Sequence, residues 1–220
     1  DVTGVQTCAL PIYVNGIPVA TNSSALYAAN RETPEAGQNK DVPTDLAIGA
    51  YNAASGLGNN AYEGDVDEVA IYSDYILTPE QIAAHYAAGT NAHPAVDYAT
   101  LVLTAPFTGP ERKGPQTYLR FSDPARNPAA NSGVLGGAAD GNLVLASNTA
   151  NGPANAGFGS GNKAVQLDGQ KSWISLNRPA DMNIAGQITL EAWIKPDAIQ
   201  DRKSTRLNSS HITISYAVFC

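Results

Sequence analysis

Residues 62–72 (YEGDVDEVAIY) carry the clearest two-residue alternation in the chain. Strict alternation places Asp65, Asp67, Val69 and Ile71 on one face and Val66, Glu68, Ala70 and Tyr72 on the other. The first half is acidic and the second apolar, as in a strand passing from a rim into a core. Ile188, Leu190, Ala192 and Ile194 alternate with Thr189, Glu191, Trp193 and Lys195 and predict a second strand. Asn15-Gly16 offers the left-handed pair of a two-residue hairpin between Tyr13-Val14 and Ile17 to Val19. Residues 46–51, 100–104 and 118–121 read as shorter strands, with a further short one at residues 25–28. A hairpin is expected over residues 163–177 around Asp168-Gly169, with Val165, Leu167, Trp173 and Ile174 turned to the core.

Helical signals converge on one place. Thr78 suits an N-cap, Pro79 the first helical position, and Gln81 the return bond of a capping box. Ile82, Tyr86 and Leu77 can face a sheet, and Gly89 is expected to end the helix. Residues 52–60 read as a turn, 127–161 as long Gly/Ala/Asn-rich surface loops around an apolar stretch at 143–145, and 107–115 as a module boundary. One short helix at about 79–88 among many short strands predicts an all-β fold, a β-sandwich.

Composition narrows the partners. The chain carries a net charge of −7 with scattered Lys and Arg, which gives no phosphate-neutralising patch and argues against nucleic acid. No apolar run approaches the roughly 20 residues of a membrane-spanning helix. The two cysteines, Cys8 and Cys220, lie near the two ends.

Two groups of segments resemble the laminin-G-like, concanavalin A-like jelly-roll family. Gly64, Asp67-Glu68-Val69, Ile71-Tyr72, Leu77-Thr78 and Gln81-Ile82 are similar to its closing strand and helix. Ala164-Val165-Gln166-Leu167-Asp168-Gly169, Trp173-Ile174-Ser175-Leu176 and residues 189–196 are similar to its opening strands. The closing pattern precedes the opening one, and the middle strands between them are absent. The resemblance therefore implies the C-terminal half of one module (13–92), a linker (93–116) and the N-terminal half of a second (117–200). Such halves would assemble as an incomplete, circularly permuted sandwich. It also implies a metagenomic fragment of a secreted or cell-surface bacterial protein, flanked by neighbouring modules of the parent chain.

Both ends resemble translated sequencing-adapter sequence. Residues 201–220 (DRKSTRLNSSHITISYAVFC) resemble one adapter strand and residues 1–12 (DVTGVQTCALPI) its reverse complement. They are expected to be artefactual tails outside the fold, and Cys8 with Cys220 is not expected to be a disulfide.

Glu63, Asp65 and Glu68 match the spacing of the catalytic acids in laminarinase-type glycoside hydrolases of this fold. Retaining chemistry needs two carboxyls about 5–5.5 Å apart across the bond. Gly64 and Asp67 stand where that signature has apolar residues, so a rim strand with solvated acids is the competing expectation. The resemblance implies structural Ca²⁺ at Asp67, completed by carbonyls and water, against a simple backbone-capping role. Asp168 is a weaker candidate metal ligand, better suited to its Asp-Gly turn. Trp193 and Tyr62 are candidates for stacking on sugar rings, with Trp173 and Tyr72 beside them, although such aromatics also serve as core. His85 and His93 have no partner at metal-ligand spacing. The function expected is a non-catalytic module binding carbohydrate or a protein surface, with a glycoside hydrolase or a purely structural spacer as alternatives.

Overall fold

The computed structural model describes residues 10–22, 46–50, 61–73, 75–104, 114–123, 126–176, 188–197 and 212–216. The chain is mainly β. Strands β1 (Leu10–Val14), β2 (Ile17–Asn22), β4 (Glu63–Ser73), β5 (Thr117–Leu119), β7 (Ser147–Asn151), β8 (Lys163–Asp168), β10 (Ile188–Pro196) and β11 (Ile212–Tyr216) form one curled antiparallel sheet. Its order is β2-β1-β11-β10-β4-β8-β7, with β5 pairing on β4. A smaller sheet has the order β3-β9-β6, from β3 (Leu46–Ile48), β9 (Trp173–Leu176) and β6 (Gly141–Val144). The expected strand at residues 25–28, the turn at 52–60 and both cysteines lie outside the described residues.

An aliphatic layer joins the two sheets. Val66, Val69, Ile71, Val165, Leu167 and Ile188 of the large sheet meet Leu143, Ile174 and Leu176 of the small one. The opposite face of the large sheet lies under two helices, α1 (Pro79–Thr90) and α2 (Tyr98–Thr104). Strand β4 sits between β10 on one side and β5 and β8 on the other. Residues 13–92 and 117–200 therefore share one sheet.

Local chemistry explains most of these elements. Asn15 (φ 54°) and Gly16 (φ 73°) turn the β1–β2 hairpin as expected, with Val14 opposite Ile17. Helix α1 starts with the full capping box, Thr78 accepting from the Gln81 N–H and Gln81 accepting from Thr78 N–H.

Six expectations are corrected. Gly89 does not end α1; the helix runs to Thr90, and a Cβ on Gly89 would lie 2.3 Å from Trp193 Cζ2. Glycine is there to let the helix approach the indole. Residues 100–104 are helical, because Asp97 caps the turn: its carboxylate accepts from the Thr100 N–H at 2.8 Å, and Tyr98, Ala99 and Val102 are buried. Residues 127–161 hold β6 and β7 rather than loops alone. Strands β8 and β9 are not a hairpin, since the Asp168 turn carries the chain from the large sheet to the small one.

The fifth correction concerns β4. Glu191 pairs with Ala70 and Trp193 with Asp67, so three steps of β4 face two of β10. This β-bulge, with Glu68 at φ 51°, breaks the strict alternation. Asp67 and Glu68 both turn to the helix side, while Val66, Val69 and Ile71 stay together in the aliphatic layer. Without the bulge, Asp65 and Asp67 would share a face with Val69 and Ile71. Finally, the sheet extends into both end segments, through Leu10–Val14 and Ile212–Tyr216. An open edge of β10 offers unpaired N–H and C=O groups to any β-prone segment, and Ile-Thr-Ile-Ser-Tyr is one.

Candidate functional site

The bulge falls where β4 changes partner, from β8 at Val66 to β5 at Val69. Asp67 and Glu68 stand in the gap between those two strands, and residues flanking each strand fill it. Asn162, just before β8, donates to Asp67 Oδ2 at 2.7 Å, and the Glu68 N–H donates to Asp67 Oδ1 at 2.8 Å. Ser122 Oγ in turn donates to Asn162 Oδ1 at 2.9 Å, fixing the amide. Tyr118 O–H donates to the Glu68 carboxylate, and Arg120 Nε lies 3.5 Å from Glu68 Oε1, an ion pair too long for a hydrogen bond.

Burial dominates the electrostatics of this pair. It holds the Asp67 carboxyl well above the usual carboxylate range, reinforced by neighbouring Glu68 and opposed by Asn162. Glu68 is pushed up to about 7 by burial, against the lowering effects of Arg120 and Tyr118.

A small solvent-open cleft, with room for about one water-sized group, lies beside Asp67, lined among others by Asp65, Asn151, Gly152, Trp193 and Lys195. Asp65 Oδ2 is 3.4 Å from Lys195 Nζ, whereas its Oδ1 is buried without a hydrogen-bond partner. Trp193 Nε1 is also buried without one. A Cβ on Gly152 would sit 2.5 Å from both Asp67 Oδ2 and Asn162 Nδ2, so glycine there lets the loop pack directly on that buried pair. Among the described residues, no group of three or more His, Cys, Asp or Glu is arranged to hold a metal.

The structure separates the three acids of the hydrolase-like spacing. Glu63 is exposed at the rim, Asp65 lies in the cleft, and Glu68 is fully buried under the helix layer against Tyr118. They do not converge on an open groove. Trp193 is 1% exposed and stacks on Tyr86 at 6.1 Å, with Phe158 and Tyr98 at its edges. That stack and the close pass of Gly89 enclose the ring that was the first stacking candidate. Tyr72 is likewise fully buried. Tyr62 is half-buried at the rim, donating to the Asp65 carbonyl at 3.3 Å, and burial raises its hydroxyl pKa. Asp168 Oδ1 accepts from Gln170, Lys171 and Ser172 N–H and from Ser172 Oγ at 2.8–2.9 Å. Those backbone donors hold it far below the usual range and commit that oxygen to the turn.

A second polar centre was not anticipated. Glu191, 1% exposed, accepts from Tyr98 O–H at 2.7 Å and meets His85 Nδ1 at 3.0 Å and Tyr72 O–H at 3.4 Å. Burial works to lower the His85 pKa, but the Glu191 carboxylate outweighs it and raises it. An acid between Leu190 and Ala192 in an apolar strand is the sequence signal, since such a group needs partners once both faces are covered.

Against protein-family models, curated proteins and solved structures, the chain has no match in any of the three comparisons.

Proposed function

We propose that this chain is a non-catalytic binding module of concanavalin A-like jelly-roll type, taken from a secreted or surface multi-module bacterial protein. Its ligand is a carbohydrate or a protein surface, and the two halves of neighbouring modules named above supply its strands. The observation that carries the non-catalytic reading is the enclosure of Glu68. A glycosidic bond cannot lie between Glu63 at the rim and a carboxyl sealed beneath Tyr118, so the separation that retaining hydrolysis requires has no open substrate path.

Structural Ca²⁺ is the part of the family reading that the residues present do not fit. Asp65 Oδ1 is an orphaned buried acceptor, but Asp67 is 2% exposed and both its oxygens already accept hydrogen bonds, from the Glu68 N–H and from Asn162. That leaves too few free oxygens for the six to eight that calcium takes. The purely structural spacer is the second reading, favoured by the enclosure of Trp193.

Glycan-array binding, together with β-glucan hydrolysis assays, tests these readings. Ligand binding without hydrolysis is expected. Cleavage by the wild type that is lost in a Glu63→Gln/Glu68→Gln variant would establish the hydrolase instead. A folded protein that retains no ligand on the array is the spacer's outcome.

A further inference from the structure

We propose that the space between β10 and β1 is an acceptor slot for an extended polypeptide strand, and that β11 is a tethered plug which a partner strand can replace. The slot stands independently of the glycan reading. Its partner is recognised through the backbone and through one pattern, apolar residues alternating with small hydroxyl residues. Both walls rest on contacts of their own. Strand β10 is held on its far side by β4, from Ile188 opposite Ser73 to Pro196 opposite Gly64. Strand β1 reaches the helix layer directly: Tyr13 is buried in the cluster that holds Tyr72 and Trp193, and a Cβ on Gly16 would lie 3.0 Å from Tyr86 Cβ. The described pairings of β11, in contrast, run to these two walls. A slot with its walls in place costs little to fill, since only the incoming strand has to be ordered.

Register sets the chemistry of the occupant. Ile212, Ile214 and Tyr216 stand opposite Ile194, Ala192 and Leu190, which are half-buried at the border of the aliphatic layer. Thr213 and Ser215 stand opposite Trp193 and Glu191, both buried on the helix side. An apolar residue therefore extends the aliphatic layer, whereas a small one suits the positions where Tyr86, Phe158 and Tyr98 already surround the indole. Residues 212–216 belong to neither of the two strand patterns at 62–82 and 164–196, so the slot reads backbone and alternation rather than one sequence. Tethering through residues 197–211 gives β11 an effective concentration of about a millimolar, which closes the slot to weak partners.

Fluorescence anisotropy of a labelled peptide of residues 211–217, added to the 220-residue protein, tests this. Ile214→Pro removes a backbone donor from the plug and should bind the peptide about tenfold or more tightly than the wild type does. Ile212→Asp/Ile214→Asp keeps every backbone donor, should open the slot through the pattern alone, and serves where Ile214→Pro fails to fold. Equal peptide binding by the wild type and the variants, or none by a folded variant, overturns the proposal. Self-association of an opened variant that excess peptide does not disperse overturns it too, since the slot would then belong to a second copy. In the wild type, about 5 mM peptide should release β11, read as faster hydrogen exchange across residues 212–216 while β10 stays protected. Unchanged exchange there would show that the plug cannot be replaced.

Discussion

The face of the large sheet turned to β3, β9 and β6 is aliphatic, built from Val66, Val69, Ile71, Val165, Leu167 and Ile188. The face turned to α1 and α2 carries Tyr72, Tyr118 and Trp193 around the buried acids Glu68 and Glu191. Both faces belong to the same strands and both exclude water, yet they hold their partners by different physics. The aliphatic layer depends on area and volume, and accepts any filling of about the right shape. The helix layer depends on donors to its acids, because a buried carboxylate left without them costs several kcal/mol. The helices are therefore seated in one position by His85, Tyr98 and the close pass at Gly89, whereas the described residues of the small sheet meet the large one through an aliphatic layer.

The largest effect expected is on the helix layer. Glu191→Ala strands His85, Tyr98 and Tyr72, and should lower stability by about 3–5 kcal/mol, measured by urea denaturation. Glu191→Gln preserves the volume and should still cost more than 1 kcal/mol, since the charge-assisted bonds are lost. The aliphatic face should respond in the other way. Leu167→Ala is expected to cost about 3 kcal/mol through the cavity it leaves, but Leu167→Met less than about 1.5. A costly Leu167→Met beside a neutral Glu191→Gln would invert the contrast between the faces.

The smallest effect is a pH dependence confined to the helix layer. The His85 pKa is raised in the folded protein by Glu191, so the folded state binds that proton more tightly than the unfolded chain. Its contribution is complete below the unfolded value of about 6.5 and is lost as pH rises through the higher folded value. Urea midpoints from pH 5.5 to 9 should therefore decline more steeply for the wild type than for His85→Phe. Parallel profiles would remove His85 from the account.

Several parts of this molecule were legible in the residues themselves. The Asn15-Gly16 turn and the Thr78 capping box each rest on contacts within four residues, and both formed as read. The alternation of β10 also held: Ile188, Leu190, Ala192 and Ile194 share the aliphatic side, while Thr189, Glu191 and Trp193 on the other side are buried. The alternation of β4 failed at one residue. The bulge at Asp67-Glu68 keeps acids and aliphatic groups on separate faces, and that demand comes from neighbours fifty or more residues away. The Thr100 to Thr104 stretch failed for a related reason: its apolar run suits strand or helix, and the packing of Tyr98 against Glu191 and Phe158 favours the helix.

What the sequence determined by itself was therefore local: turn chemistry, one helix start, the mainly β character, and the acids from which any site must be drawn. The tertiary structure alone decided which acids are open and which are sealed. Asp65 and Glu68 lie three residues apart, yet one lines a cleft and the other lies under Tyr118. A single extra residue in a strand, together with the partners that close the gap beside it, makes that difference. Burial and pairing are properties of surfaces brought together, and no local pattern carries them.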